Sequence, residues 1–77
     1  MKEPFILDVK NLPCPLPLVK LKKALAEVDI NQQSIQLTVT DQSALKDIPA
    51  FCMNKGLISF LSEQRDEEIV FLISAKG

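Results

Sequence analysis

The chain has 77 residues, of which 47% are hydrophobic and 25% are charged, and its formal net charge is −1. One domain, residues 1–77, is expected because chains shorter than roughly 150 residues rarely hold two cores. The composition excludes a disordered or collagen-like segment. No apolar run approaches the roughly 18 residues of a membrane helix. We therefore expect a cytoplasmic protein with no membrane span and no signal peptide.

Histidine is absent, and the two cysteines are Cys14 and Cys52. These residues cannot supply a four-ligand zinc site of cysteine and histidine, and no histidine-based catalytic triad can form. Polar chemistry must therefore use thiol, carboxylate, amine or backbone groups. Four lysines and no acid lie between Val9 and Ala26. This positive excess can attract an anionic partner, although it is equally typical of a solvated helix face.

A strand and a helix are predicted for the first third of the chain. Residues 5–10 are rich in β-forming side chains, with Phe5, Leu7 and Val9 on one side of a strand. The apolar period then becomes helical, so the first helix is expected over residues 15–28. Its core-facing stripe is Leu18, Leu21, Leu25 and Val28, with Ala24 at the edge.

Alternation returns in residues 34–40, where Ile35, Leu37 and Val39 form the apolar side of a strand. The opposite side is polar, which is typical of a strand buried on one face only. Residues 41–55 are predicted to form the second helix. Its apolar stripe is Ala44, Leu45, Ile48, Phe51 and Cys52.

Three residues predict details of the second helix. Pro49 cannot donate a helical hydrogen bond, so it must kink the helix or lie in its first turn. Asp47 is a candidate N-cap if the regular part of the helix begins there. Gly56 is a typical C-terminal stop.

Residues 57–61 and 69–73 are predicted to be the strands of an antiparallel hairpin, joined by the polar residues 62–68. The predicted fold class is α+β, a two-layer α/β sandwich in the order strand-helix-strand-helix-strand-strand. One-sided burial of the second strand and right-handed crossovers place both helices on one face of a four-stranded mixed sheet.

Cys14 stands between Pro13 and Pro15, and Pro17 follows two residues later. Proline is tolerated in the first turn of a helix because the N–H groups there have no partner within the helix. Pro15 would then be the first helical residue and Cys14 the N-cap, where the helix dipole favours a thiolate over a thiol. The alternative is a small buried hydrophobic residue at a corner stiffened by prolines.

The C-P-x-P sequence at residues 14–17 is one of several segments that match a known family. They are Leu7-Asp8, Leu12, Cys14-Pro15-Leu16-Pro17, Lys22-Lys23-Ala24-Leu25, Asp47-Ile48-Pro49-Ala50-Phe51-Cys52 and Phe71-Leu72-Ile73. Together they resemble the TusA/SirA-like small sulfur-carrier proteins, whose signature is a C-P-x-P sequence entering the first helix. The likeness spans nearly the whole chain in register.

The resemblance implies a strand-helix-strand-helix-strand-strand sandwich and a catalytic cysteine, here Cys14, that carries sulfur as a persulfide in a sulfurtransferase reaction. Pro15, Pro17, Asn11 and Asp8 would form or position this motif. The implied partners are a sulfur donor, such as a cysteine desulfurase or a rhodanese, and an acceptor protein of a sulfur relay. No metal or organic cofactor is expected, because thiol exchange needs only a thiolate, an accessible sulfur and a leaving group.

The chain departs from the family pattern at Asn11, Pro13 and Ser74, and Thr40-Asp41-Gln42 stands where an Asp-Asp-Pro type turn before the second helix is usual. Asn11 stands where glycine is usual, and asparagine is the next-best residue for a left-handed turn. Pro13 and Ser74 stand where basic residues are common, so the remaining lysines are expected to steer the partner. A docking patch beside the thiol, with a partly covered helix edge as the alternative, is predicted at Leu16, Val19, Lys20 and Lys23.

Cys52 shares the apolar stripe of the second helix, which favours a structural core cysteine over a resolving or second carrier thiol. Asp8 and Asp41 at strand ends, and Asp47 at a helix start, are interpreted as turn and cap residues rather than general acids.

Two other functions remain open. The chain could be a non-catalytic regulatory or binding module for protein or RNA, since fold does not dictate function. It could also be a thiol redox sensor, which requires Cys14 and Cys52 within disulfide reach. Direct binding of nucleic acid is not expected, because Phe5, Phe60 and Phe71 sit at strand positions that can serve the core and leave no exposed aromatic pair.

Overall fold

The structure is a computed structural model that describes residues 3–13 and 16–75. Its strands form one sheet in the order β1-β2-β4-β3. β1 and β2 are parallel, whereas β4 is antiparallel to both β2 and β3. Consequently β2 and β3 are parallel to each other. The elements are β1 (Phe5–Asp8), α1 (Leu16–Glu27), β2 (Ile35–Val39), α2 (Ala44–Asn54), β3 (Leu57–Arg65) and β4 (Glu68–Ala75).

Both helices cover one face of this mixed sheet, which confirms the predicted α+β sandwich. Leu21 of α1, together with Ile48 and Cys52 of α2, reaches the same core as the strands. Each fully buried aliphatic side chain contributes about 1.5–3 kcal/mol. The two central strands supply buried side chains that are paired in register: Ile35 with Ile73, Leu37 with Phe71 and Val39 with Ile69.

The buried residues of α1 differ in part from the predicted core-facing stripe. Pro17, Leu21 and Ala24 are buried, at the i, i+4, i+7 spacing of one helix face. Ala24, expected at the edge of the stripe, is one of these three buried residues. The larger residues expected at the centre pack partly buried on the flanks: Leu18, Leu25 and Val28.

The start of α2 corrects the prediction for Asp47. The N-cap position is held by Ser43, and Asp47 lies in the first turn of the helix. The Asp41 carboxylate accepts hydrogen bonds from the Ser43 backbone N–H at 3.0 Å and the Ser43 hydroxyl at 2.9 Å. This turn fixes the helix start four residues before Asp47. Asp41 is therefore a turn residue, as predicted.

Pro49 lies within α2, and Gly56 follows its end. Pro49 lies in the second turn, not the first, and the helix runs on without interruption to Asn54. Gly56 has φ +70°, the left-handed conformation that ends many helices. The predicted stop at Gly56 is confirmed.

The hairpin is antiparallel, as predicted, but its strands are longer than expected. β3 continues to Arg65 and β4 begins at Glu68, so the connection is a two-residue turn rather than residues 62–68. Asp66 takes a left-handed φ of 55° in this turn. The residues added to β3, 62–65, are polar and exposed on both faces of the strand, so no apolar alternation marks them. The ladder is irregular between Leu61 and Glu63.

The face of the sheet opposite the helices is uncovered. Phe60, expected to serve the core, lies on this open face with 62% of its surface exposed. The reason is strand parity: Phe60 pairs with Leu72 of β4, and the neighbouring positions 59 and 61 pair with the core-facing Ile73 and Phe71. Of the four phenylalanines, Phe60 alone is exposed, so no exposed aromatic pair forms.

Candidate functional site

The starts of both helices and the tip of the hairpin lie at one end of the sheet. β1 and β2 are parallel, so their carboxyl ends lie side by side and the segments leading to α1 and α2 leave from the same edge. β4 starts there too, since Ile69 pairs with Val39. We call this the loop end of the sheet. Its described segments are residues 9–13, 40–44 and 66–67.

Cys14 and Pro15 lie outside the described residues. The predictions that Cys14 is a catalytic thiol at the N-cap and that Pro15 opens the helix therefore stay predictions. The residues on either side are described, and the Leu16 amide donates a hydrogen bond to the Pro13 carbonyl at 2.9 Å. In chain order, Cys14 directly follows Pro13 of the loop end.

Short polar contacts hold the loop between β1 and α1. The Lys10 amide donates to Asp8 Oδ1 at 3.0 Å, and Lys10 Nζ lies 3.6 Å from Asp8 Oδ2. Asn11 has φ 66°, the left-handed conformation that its residue type predicts. Its amide donates to Thr40 Oγ1 at 2.9 Å. Thr40 is 29 residues away, and no local sequence signal identifies it as the residue that holds this bend.

Pro17 lies in the first turn of α1, as predicted, and its side chain is buried. It lines a small cavity with Leu18 and with Ala44 and Ile48 of α2. Its missing N–H costs nothing at this position, because first-turn amides have no partner within the helix. Pro17 thus helps to fix the start of α1 against the start of α2.

An exposed stripe runs along the side of α1 away from the core. Leu16 is 40% exposed and Val19 is 53% exposed, and both lysines of the stripe are exposed. The four residues are spaced i, i+3, i+4 and i+7, so they lie on one face of the helix. We call this stripe the α1 flank; it consists of Leu16, Val19, Lys20 and Lys23. The first turn of α1 contains no acidic residue, and the charged residues of the α1 flank, Lys20 and Lys23, are both positive.

Cys52 is buried in the core, as predicted, with 1% of its surface exposed. Burial raises the pKa of the Cys52 thiol, and a hydrogen bond with Ser59 partly counters that rise. Cys52 also lies eight residues beyond the start of α2, about 12 Å along the helix at 1.5 Å per residue. Its thiol is therefore protonated, enclosed and remote from the loop end.

The structure brings acidic residues to the loop end that sequence reasoning did not place there. Lys10, Asn11 and Thr40 line a shallow depression together with the hairpin tip, whose acidic residues are Asp66, Glu67 and Glu68. The hairpin was predicted, but the position of its tip follows from the insertion of β4 between β2 and β3. The loop end therefore has a basic side along α1 and an acidic side at the hairpin.

Metal-binding clusters and membrane-spanning helices are both absent from the described residues. Within residues 3–13 and 16–75, no three His, Cys, Asp or Glu side chains are grouped as a metal site requires. No helix in those ranges is long and apolar enough to span a bilayer.

The fold and the loop end define a small α+β protein in which two helices cover a β1-β2-β4-β3 sheet and the last two residues of a C-P-x-P sequence begin the first helix. The family described as "Sulfurtransferase TusA" matches residues 5–75. The chain belongs to the TusA family.

Individual relatives agree with this assignment. YrkI of Bacillus subtilis, named as a sulfur carrier, is 39% identical over 67 residues, which cover 87% of this chain and 85% of the relative. The sulfur carrier protein TusA of Allochromatium vinosum is 33% identical over 67 residues, 87% of each chain. The crystal structure of a SirA-like protein from Desulfitobacterium hafniense has the same fold, with a TM-score of 0.77 at 22% identity over 94% of this chain and 99% of that one.

Proposed function

We propose that this chain is a cytoplasmic sulfur carrier of the sulfurtransferase type, with Cys14 as the thiol that carries the sulfur. The observation that supports this most directly is the family match over residues 5–75, which contains the Cys14-Pro15-Leu16-Pro17 sequence. Relatives named as sulfur carriers align over most of the chain.

The reaction needs no change in overall oxidation state. The Cys14 thiolate attacks the terminal sulfur of a donor persulfide, a new S–S bond forms, and the donor's own thiolate leaves as its S–S bond breaks. The terminal sulfur, with its proton, is then held on Cys14 as a persulfide. Attack by an acceptor's nucleophile on that sulfur regenerates the Cys14 thiolate.

The burial of Cys52 supports Cys14 as the carrier. A thiolate is the nucleophile in sulfur transfer, so a carrier thiol must ionise and must meet a partner's sulfur. Cys52 does neither, because it is 1% exposed and its pKa is raised by burial. Cys14 is the other cysteine of the chain.

The start of α1 suits an anionic sulfur. The helix dipole stabilises negative charge at a helix N-terminus, by typically 0.3–1 kcal/mol at an exposed site. The dipole supplies this effect, because the Leu16 amide is bonded to the Pro13 carbonyl. Pro15 and Pro17 have no N–H to contribute. The first turn of α1 holds no carboxylate that would oppose this effect. Thiolate and persulfide anions would both benefit.

The α1 flank is the proposed docking surface for donor and acceptor. Transfer requires two sulfur atoms to meet, so the contact surface must surround the thiol. Leu16 and Val19 are the exposed apolar residues nearest to Cys14 along α1, and Lys20 and Lys23 extend the same stripe. An apolar patch with a basic border fits a partner whose sulfur-bearing loop is surrounded by acidic residues.

Sulfur loading tests the proposed function. The wild-type protein is incubated with a cysteine desulfurase and cysteine, and its intact mass is measured before and after reduction. We expect a mass gain of one sulfur atom, reversed by reductant, in the wild type and in Cys52→Ala, and no gain in Cys14→Ser. Serine is a good N-cap, so the variant should keep its fold. A Cys14→Ser protein that still loads sulfur would refute the assignment.

A further inference from the structure

The two edges of the sheet differ in how well they are protected from pairing with another strand. β1 is a four-residue strand that follows Pro4 and ends at Asp8. Short length, proline and charge are the usual means by which an edge is kept from pairing. β1 is therefore a protected edge.

The opposite edge, β3, is nine residues long and contains no proline. In the described part of the chain β3 pairs with β4 alone, so its other side is free. Its first five residues, Leu57 to Leu61, carry no charge, and three of them are exposed apolar residues: Ile58 at 46%, Phe60 at 62% and Leu61 at 43%. A flat uncharged edge of this kind is a template for strand addition.

Structural features at both ends delimit this uncharged segment. Before it, Gly56 turns the chain out of α2 with φ +70°. After it, the ladder is irregular between Leu61 and Glu63, and an ion pair of 3.2 Å joins Glu63 and Arg65. A bulge and charges protect that second half of the strand. The segment available for pairing is thus Leu57 to Leu61.

We propose that a second copy of this chain pairs with this segment, β3 against β3 in antiparallel orientation, about a twofold axis at Ser59. The segment reads Leu-Ile-Ser-Phe-Leu, which is symmetric in apolar character about its centre. In this register Leu57 lies opposite Leu61 of the other copy, Ile58 opposite Phe60, and Ser59 opposite itself. No apolar side chain faces a polar one.

This register also fits the two faces of the sheet. Directly opposite residues point to the same face, and Leu57, Ser59 and Leu61 point to the helix side whereas Ile58 and Phe60 point to the open side. A shift by one residue would exchange the faces, and a shift by two would pair only three of the five residues. The proposed register alone pairs all five and keeps the helices of both copies on one side.

Two further features favour a second copy as the occupant. A groove beside the strand is lined by Pro49, Met53 and Leu57, and the other copy's Leu61 would lie opposite Leu57 at this groove. The antiparallel arrangement also places the end of one copy's segment that follows Lys55 beside the end of the other's that precedes Glu63, so residues of unlike charge flank the interface at both ends. A net charge of −1 per copy opposes association only weakly.

Sedimentation equilibrium of the full chain under reducing conditions, from about 1 μM to about 1 mM, tests the proposal. We expect a concentration-dependent dimer and no larger species, because the β1 edge is protected. Phe60→Glu should raise the dissociation constant about 100-fold, since it places a charge in two symmetric apolar pairs. Ile6→Glu is the matched control: Ile6 is 58% exposed on the open face of the other edge strand, and the substitution changes the net charge equally. It should leave the dissociation constant unchanged.

Crosslinking tests the register in a Cys14→Ser background. Ile58→Cys mixed with Phe60→Cys should form a disulfide between the two variants, because directly opposite Cα atoms are about 4.5–5.5 Å apart. Either variant alone should crosslink poorly, because its cysteines would be diagonal neighbours at about 7–8 Å, beyond disulfide reach. Circular dichroism checks the fold of every variant.

A monomer at all concentrations, or a dimer broken by Ile6→Glu and not by Phe60→Glu, would overturn the proposal. If the protein is monomeric at all concentrations, a strand from a different protein becomes the candidate partner of the β3 edge. Sulfur loading is not measured in any of these experiments, so their outcome is independent of the role proposed for Cys14.

Discussion

α1 and α2 begin at the same end of the sheet and cover the same face, yet their first turns are built differently. The first turn of α1 has no acidic residue and leaves Leu16 and Val19 exposed. The start of α2 is enclosed in its own polar contacts: Asp41 accepts two hydrogen bonds from Ser43, and Asp47 adds a carboxylate in the first turn. The start of α1 is therefore bordered by exposed apolar side chains, whereas the start of α2 is bordered by carboxylates.

The two cysteines follow the same division. Cys14 precedes α1 by two positions in the sequence, whereas Cys52 lies within α2 and faces the core. We propose a reactive thiol just before α1, whereas the thiol within α2 is buried on its inner face, so the chemistry expected of each thiol differs.

The largest expected difference is in thiol reactivity. With a small alkylating agent at mildly acidic pH, Cys14 should be labelled at least about 100-fold faster than Cys52 in the native protein, since reactivity follows thiolate character and access. Peptide mapping by mass spectrometry measures both rates, and labelling in denaturant should bring them within a few-fold of each other. Faster native labelling of Cys52 would reverse the comparison.

Charge reversal on each helix should separate their roles in docking. Lys20→Glu with Lys23→Glu on α1 should slow sulfur transfer from an acidic donor about tenfold at low salt, and the loss should shrink at high salt. Lys46→Glu with Lys55→Glu is the matched control on α2, with the same change in net charge, and should change the rate little. Equal losses in both double variants would show that net charge, not the α1 flank, steers the partner.

Removal of the buried thiol should affect stability and not sulfur transfer. Cys52→Ala should lower the free energy of unfolding by about 1–2 kcal/mol, because it loses packed atoms and the hydrogen bond with Ser59. Denaturant unfolding measures this loss. Sulfur loading at Cys14 should be unchanged, and impaired loading in a folded Cys52→Ala protein would give Cys52 a part in transfer.

The buried Cys52 thiol should also make the free energy of unfolding depend on pH. Burial raises the pKa of Cys52 in the folded protein, so the unfolded chain loses this proton first as the pH rises. Wild-type stability should therefore fall above the thiol's unfolded pKa, by up to about 1.4 kcal/mol per pH unit until the folded thiol ionises. Cys14→Ser and the double variant Cys14→Ser with Cys52→Ala are compared, and only the protein that keeps Cys52 should show this decline. If the free energy of unfolding of the two proteins falls in parallel with pH, the decline does not come from Cys52.

The smallest effects, of opposite sign, are expected at the helix prolines. Pro17→Ala should lower the free energy of unfolding by about 1 kcal/mol, because the ring is buried and restricts the unfolded chain. Pro49→Ala should raise it by about 1 kcal/mol, because alanine restores an amide within the second turn of α2. Thermal or denaturant unfolding measures both, and the same sign at both positions would show that the two prolines are equivalent.

Much of the fold could be predicted because its signals are local. The period of apolar residues indicated both helices and β2, and Gly56 was matched to a helix stop by residue type. The left-handed bend at Asn11 was expected because the resembled family usually has glycine there. The strand prediction was wrong where strand residues are exposed, because an apolar pattern does not mark such residues. The outer half of β3 is exposed on both faces, so residues 62–65 belong to this strand without apolar alternation.

Sequence by itself thus determined where the chain can turn, which faces of its helices and strands are apolar, and that Cys52 belongs to the core, because each depends on the residue and its near neighbours. The tertiary structure decided what depends on distant pairing. Thr40 holds the Asn11 bend across 29 residues, the hairpin tip lies beside that bend because β4 inserts between β2 and β3, and strand register turns Phe60 to the open face. These contacts are set by how separated segments align in one sheet, and no local pattern encodes that alignment.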